Sequence, residues 1–233
     1  MSIARSWKKT WGGPKQQAML LAVLLLGFVL PWVGFVLLAQ KVWTGGFASD
    51  NAILKLLYRN ASPTLDALAV ALANIGDSEP MIALGVVVAA VLARLRYWRQ
   101  AGVFVLAVGG SMLLTQVLKA HFARPRPDLW VSIKPALTFS FPSGHAMDTA
   151  ALATAVTFLL WQHRVHWLAW PWLPLFALAV GWSRMYLGVH FPSDVLAGWL
   201  SAIGWVTGVF LLFAPAFRFY GAEQGPEQVS PLK

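Results

Sequence analysis

The sequence predicts an all-α, polytopic membrane protein with six transmembrane helices, and three observations predict it. Of its 233 residues, 58% are hydrophobic and only 12% are charged, where a soluble domain of this size carries roughly a quarter charged residues. The apolar residues gather into runs close to the ~20 residues that a helix needs to cross the hydrocarbon. The 13 tryptophans collect near the ends of those runs, where an indole can be half wet. The length suits one membrane-embedded domain, 1–233. Within it we expect a motif-bearing core at 101–213, an extracytoplasmic or interfacial segment at 40–78 and a loose cytoplasmic tail at 214–233.

The expected spans lie near 18–39, 79–95, 101–118, 144–162, 167–186 and 193–213. The first follows Arg5, Lys8, Lys9 and Lys15 and is too long for the ~7–15-residue core of a cleaved signal, so it reads as an uncleaved signal anchor. Its Pro31 is expected to kink the helix rather than end it. Residues 64–95 are apolar almost throughout, yet Asp77-Ser78-Glu79-Pro80 has the form of a helix start, with a capping side chain and a proline in the first turn. One long span there would carry Asp77 and Glu79 into lipid at a few kcal/mol each. A boundary helix followed by a separate span avoids that cost. Segment 40–63, with Trp43, Leu54, Leu56, Leu57 and Tyr58 among polar residues, reads as an amphipathic stretch along the interface.

The formal charge of +9 comes mostly from short segments beside the apolar runs. That distribution serves orientation in the bilayer and attraction to anionic lipid, not nucleic acid, for which no basic and aromatic strip is present. With the N-terminus inside, ten cations fall inside (residues 5, 8, 9, 15, 94, 96, 99, 164, 218 and 233) and eight outside (41, 55, 59, 119, 124, 126, 134 and 184). Setting aside Lys119, Arg126 and Arg184 leaves ten against five, so both termini are expected in the cytoplasm. Cysteine is absent, which removes disulfides and thiolate metal sites.

On this topology three polar blocks reach the same outer boundary. The first is Lys119, six residues, then Arg126-Pro127. The second is Pro142-Ser143-Gly144-His145. The third is Ser183-Arg184, five residues, His190, three residues, Asp194. Ser143 reads as an N-cap, which turns free amides and the positive helix end toward an anion, and Gly144 lets that anion approach the backbone. Lys119 and a bidentate Arg126 make a phosphate clamp. Asp194, one turn after His190, can fix the imidazole tautomer and leave the other nitrogen free to attack phosphorus. Lys119, Arg126, Arg184 and the Ser143-Gly144 amides would neutralise the non-bridging oxygens, the task of magnesium in kinases. His145 would protonate the leaving oxygen and then activate water. No metal and no cofactor is expected.

These spacings match without departure the three-part signature of the type 2 phosphatidic acid phosphatase (PAP2) superfamily, which the chain resembles over 119–194. That superfamily also includes vanadium haloperoxidases and glucose-6-phosphatase. The resemblance implies a six-helix membrane phosphatase with a PAP2/haloperoxidase-like helical core and an extracytoplasmic site. It also implies metal-independent hydrolysis through His190, with Asp194 and His145 in the roles above. The expected substrate is a lipid phosphate or diphosphate, such as undecaprenyl diphosphate, phosphatidylglycerophosphate, phosphatidic acid or diacylglycerol diphosphate. The expected setting is a bacterial inner membrane. A lipid-to-lipid phosphotransferase and a non-catalytic lipid transporter are the alternatives, and the oligomeric state is open.

Some polar residues are set aside. Arg124-Pro125 is a neighbour at the wrong spacing, and His121 fits no motif position. His163 and His166 fall on the opposite side in the fourth turn, and Ser183 supports its loop. Asp148, one turn below His145, is expected to contact a motif cation or His145, or else to make a purely structural hydrogen bond.

Overall fold

The computed structural model describes residues 14–161 and 171–213, which form helices joined by turns and one long loop. His163, His166 and the 214–233 tail lie outside the described residues. Helix α1 (14–43) runs through Pro14–Ala22, a π-helical stretch Val23–Val29 and Leu30–Trp43. Pro31 does not end it. Proline removes a donor and presses on the carbonyl four residues back; that carbonyl belongs to Gly27, inside the π-helical stretch, where the wider turn relieves the contact.

Helix α2 (Ala48–Arg59) is the amphipathic segment expected from the sequence, with Asp50 and Leu54 buried and Ile53, Leu56 and Tyr58 exposed. Helices α3 (Pro63–Ile75) and α4 (Ser78–Arg94) break where the helix-start signal stands. Asp77 caps α4 by accepting from the Ser78 amide at 2.8 Å, and Ser62 caps α3 through the Leu65 amide. The two helices bend by 47° at the break.

Helix α5 (Trp98–Phe122) ends at Ala123 in the left-handed region. A long loop leads to α6 (Gly144–Leu160), and α7 (Trp172–Tyr186) and α8 (Pro192–Leu212) follow. Among the described residues three helical runs are long and apolar enough to cross a membrane: Gln17–Trp43, Trp98–Phe122 and Pro192–Leu212. The bent pair α3–α4 raises that to four if it acts as one broken span. Helices α6 and α7, with 17 and 15 described residues, fall short of a full crossing on length. The protein is an all-helical membrane protein, and the count of six spans goes beyond what these lengths establish.

Helix α6 lies at the centre, packed on α4, α5, α7 and α8. The main core joins Met81, Phe104, Met147, Ala151, Val206 and Phe210. Small residues allow the closest approaches, as polar-poor helix interfaces require. A side chain on Gly198 of α8 would come within 2.8 Å of the Ser143 carbonyl, and one on Gly204 within 2.8 Å of the Trp32 indole of α1.

Candidate active site

The end of α5, the loop that follows it, the start of α6 and the α7–α8 turn converge at one end of the bundle. The polar blocks meet there. Lys119 donates to the Thr138 hydroxyl at 2.8 Å, and its amine lies over the first residue of α6: a Cβ on Gly144 would sit 3.8 Å from Nζ. Arg126 is fixed by its own loop, donating to the carbonyls of Thr138 (2.6 Å) and Phe139 (3.3 Å), and by the α7–α8 turn, donating to the Val189 carbonyl (2.7 Å). Its Nη1 also reaches His190 Nε2 at 3.0 Å.

That contact decides the state of the imidazole. A guanidinium only donates, so Nε2 accepts and the proton of a neutral ring sits on Nδ1. On that side Asp194 Oδ2 lies 3.5 Å away, a distance for electrostatic attraction rather than a well-formed hydrogen bond. The expected His190–Asp194 pairing is therefore present but loose. His190 is 1% exposed, and burial pulls its imidazole from the ordinary 6.5 down to about 3, with Asp194 opposing and the Arg126 and Arg184 charges reinforcing the shift. Burial likewise lowers Arg126, opposed by Asp194. The ring stays a free base.

Pro192 and Asp194 occupy the first turn of α8, where the carboxylate accepts from the Phe191 amide at 2.8 Å and so caps its own helix. Ser143 stands at the N-cap of α6, as its sequence position predicts, but its side chain makes no capping hydrogen bond. The Ser143 hydroxyl is instead buried without a partner, and so are Nε and Nη1 of Arg184, a side chain only 1% exposed. Buried donors of this kind are costly unless something accepts from them, and the chemistry of this donor set suits an oxyanion. His145 Nε2 points toward Asp77 Oδ1 at 3.7 Å, at the elbow between α3 and α4. Asp148 makes the structural contact: its hydrogen bond comes from the Ser78 hydroxyl at 2.8 Å, not from a motif cation or His145. His121 stacks on Trp43, away from the blocks.

Some site residues carry no signature in the sequence. Arg124, set aside on spacing, donates to Asp194 Oδ1 at 2.5 Å and to Asp50 Oδ2 at 3.1 Å. Ser140 donates to Asp194 Oδ2 at 2.8 Å. Asp50 has no local motif, and the hint the sequence offers for Arg124 is a second arginine on the side that the cation count predicts to be outside. A cavity of about 450 Å³ opens beside Lys119 and Arg126, continuing along Ala120, Ala136, Leu137 and Phe139.

Residues 100–218 match the model of the PAP2 superfamily. The chain is 32% identical over 170 residues to phosphatidylglycerophosphatase B of Bacillus subtilis, across 70% of this chain and 83% of that one. It is 34% identical over 156 residues to an undecaprenyl-diphosphatase of Sulfolobus acidocaldarius, across 64% and 70% of the two chains. Its fold is similar to the crystal structure of a transmembrane PAP2-type phosphatidylglycerolphosphate phosphatase from Bacillus subtilis, with a TM-score of 0.75 at 29% identity over 82% of this chain and 98% of that one.

Proposed function

Given that the chain belongs to the PAP2 superfamily and is a membrane phosphatase, we propose that it hydrolyses the terminal phosphate of a lipid phosphate or diphosphate, without a metal, through a phosphohistidine at His190. The observation that carries this reading is the Arg126–His190 contact, which keeps the Nε2 lone pair on the side of the cations. In the first step Nε2 bonds to phosphorus as the bond from phosphorus to the lipid oxygen breaks, and His145 gives that oxygen its proton. In the second step water bonds to phosphorus, His145 takes the water proton, and the N–P bond breaks to release inorganic phosphate. Nη1 of Arg126 moves from Nε2 onto a phosphate oxygen as the substrate arrives. Lys119, Arg184 and the Ser143-Gly144 amides meet the other oxygens, and electrostatic donors of this type each contribute about 10²–10³-fold.

A lipid substrate is supported by the relatives' names, which specify phosphatidylglycerophosphate and undecaprenyl diphosphate. The cavity that runs from the clamp along Leu137 and Phe139 supports it too, because it offers a hydrocarbon chain an apolar path beside the headgroup. The six spans, inward termini and outward site belong to the same proposal, since the spans follow from the apolar runs and the orientation from the cation count rather than from geometry.

The test is phosphate release by purified protein in detergent with EDTA, across a panel of lipid phosphates and diphosphates. Wild type is expected to release free phosphate and to be inhibited by vanadate, a mimic of the trigonal-bipyramidal transition state. His190→Ala should be inactive. Turnover by His190→Ala, or activity that disappears with EDTA and returns with a divalent ion, overturns the mechanism. Phosphate that appears on an added second lipid, with none released to water in its absence, would mark a transferase instead.

A further inference from the structure

We propose that Arg124 and Asp50 are positioning residues for the reaction at His190, acting through Asp194, so that the amphipathic helix α2 is part of the catalytic apparatus. The inference rests on the reading of His190 as nucleophile and adds residues that none of the three signature blocks specifies.

The carboxylate of Asp194 has two edges. Oδ2 accepts from the Ser140 hydroxyl and the Phe191 amide, both at 2.8 Å, and faces His190 Nδ1. Oδ1 is held by Arg124 Nη1 at 2.5 Å. The other terminal nitrogen of that guanidinium goes to Asp50 Oδ2 at 3.1 Å, and the plane lies over the Phe191 ring, 4.1 Å from its centroid. Asp50 in turn accepts from the Ser193 amide at 3.1 Å and the Ser193 hydroxyl at 2.6 Å. Ser193 is the residue before Asp194, and its hydroxyl also accepts from Arg124 at 2.8 Å. Asp50, Ser193 and Asp194 are all buried.

Two features separate this arrangement from an ordinary strut. Both terminal nitrogens of Arg124 are spent on carboxylates, so it is not arranged as a phosphate ligand, unlike Arg184 with its unmatched donors. The turn before α2 is also shaped to admit it: Gly46 has φ +85°, and a Cβ there would come within 2.8 Å of Arg124 Nη2. Helix α2 lies outside the matched residues 100–218, yet it supplies the second carboxylate of the cluster. With its far edge pinned on both sides, Asp194 has one orientation to offer the imidazole. Freed of Arg124 it can rotate, and a displacement of about 1 Å at a reacting group costs on the order of 10²-fold in rate.

The experiment is a double-mutant cycle on the full chain in detergent, with phosphate release and product inhibition by inorganic phosphate as readouts. Arg124→Gln is expected to lower kcat about 10²-fold while KM and the inhibition constant of the product, inorganic phosphate, stay within about twofold. Arg124→Lys should restore part of the loss. In the Asp194→Asn background, Arg124→Gln should cost little more, because contacting residues in one network are non-additive. Independent, additive losses overturn the inference, and so does a rise in KM or weaker inhibition by inorganic phosphate, which would make Arg124 a phosphate ligand. If Arg124→Gln does not fold, Asp50→Asn keeps the shape and loses the charge. It should lower kcat with KM unchanged, and unchanged kcat overturns the inference. Turnover by His190→Ala would overturn the nucleophile reading itself; additivity in the Arg124–Asp194 cycle while His190→Ala is inactive overturns only the brace.

Discussion

A single nitrogen carries the reaction proposed here, and its availability is set by burial. The His190 imidazole is driven down from 6.5 to about 3, so folding favours the neutral ring. The stability this contributes is complete above the unfolded value near 6.5 and is lost as pH falls from there toward 3. The expected outcome is a ¹⁵N-histidine spectrum in which the His190 ring stays neutral through that whole window and carries its proton on Nδ1. A titration midpoint near 6.5 would mean that the ring is wetter than its position implies. At this scale the sequence was informative wherever chemistry repeats at short spacing: Lys119, Arg126, Ser143-Gly144, Arg184, His190 and Asp194 all meet at one end of the bundle. Thr138, Ser140 and Asp50 could not be found that way. Asp50 is 143 residues from Ser193, whose hydroxyl it binds, and no local period encodes such a contact.

At the scale of the helix, start signals were legible because capping is local. Asp77 before α4 and Pro192 at the first position of α8 stand where their residue types require. Ser143 shows the limit of that logic, since it occupies the capping position while its hydroxyl makes no capping hydrogen bond. Packing between helices was not legible, because it depends on which small residue meets which neighbour. Gly198 is the sharpest case: a Cβ would lie 2.8 Å from the Ser143 carbonyl and 3.3 Å from the Met147 amide. Both are backbone atoms, and Met147 already donates to that carbonyl. Gly198→Ala is expected to destabilise by about 1–3 kcal/mol, the usual range for overpacking, and to lower turnover as it pushes the start of α6. Thermal unfolding in detergent and phosphate release check this, and an unchanged melting temperature would count against so tight an α6–α8 contact.

For the whole molecule, composition alone indicated a helical membrane protein, and the comparisons bear that out. The number of spans was less legible. Residue runs of 15 to 17 sit below the length of a full crossing, and the bent α3–α4 pair can be counted once or twice. Orientation rests on the uneven distribution of cations, and the absence of cysteine makes it directly measurable. Val131 in the α5–α6 loop and Tyr97 in the α4–α5 turn are both exposed. In right-side-out membranes an impermeant maleimide is expected to label Val131→Cys and not Tyr97→Cys. The reverse pattern would put Lys119 and Arg126 on the cytoplasmic side.

The acid at residue 50 has a bearing on how such proteins can be recombined. A chimera joining residues 100–218 to a foreign first half would inherit His190 and the cations beside it but abandon the far anchor of the carboxylate behind it. Swaps at that junction therefore have to transfer the acid and Arg124 as one inherited unit, however complete the downstream motifs look.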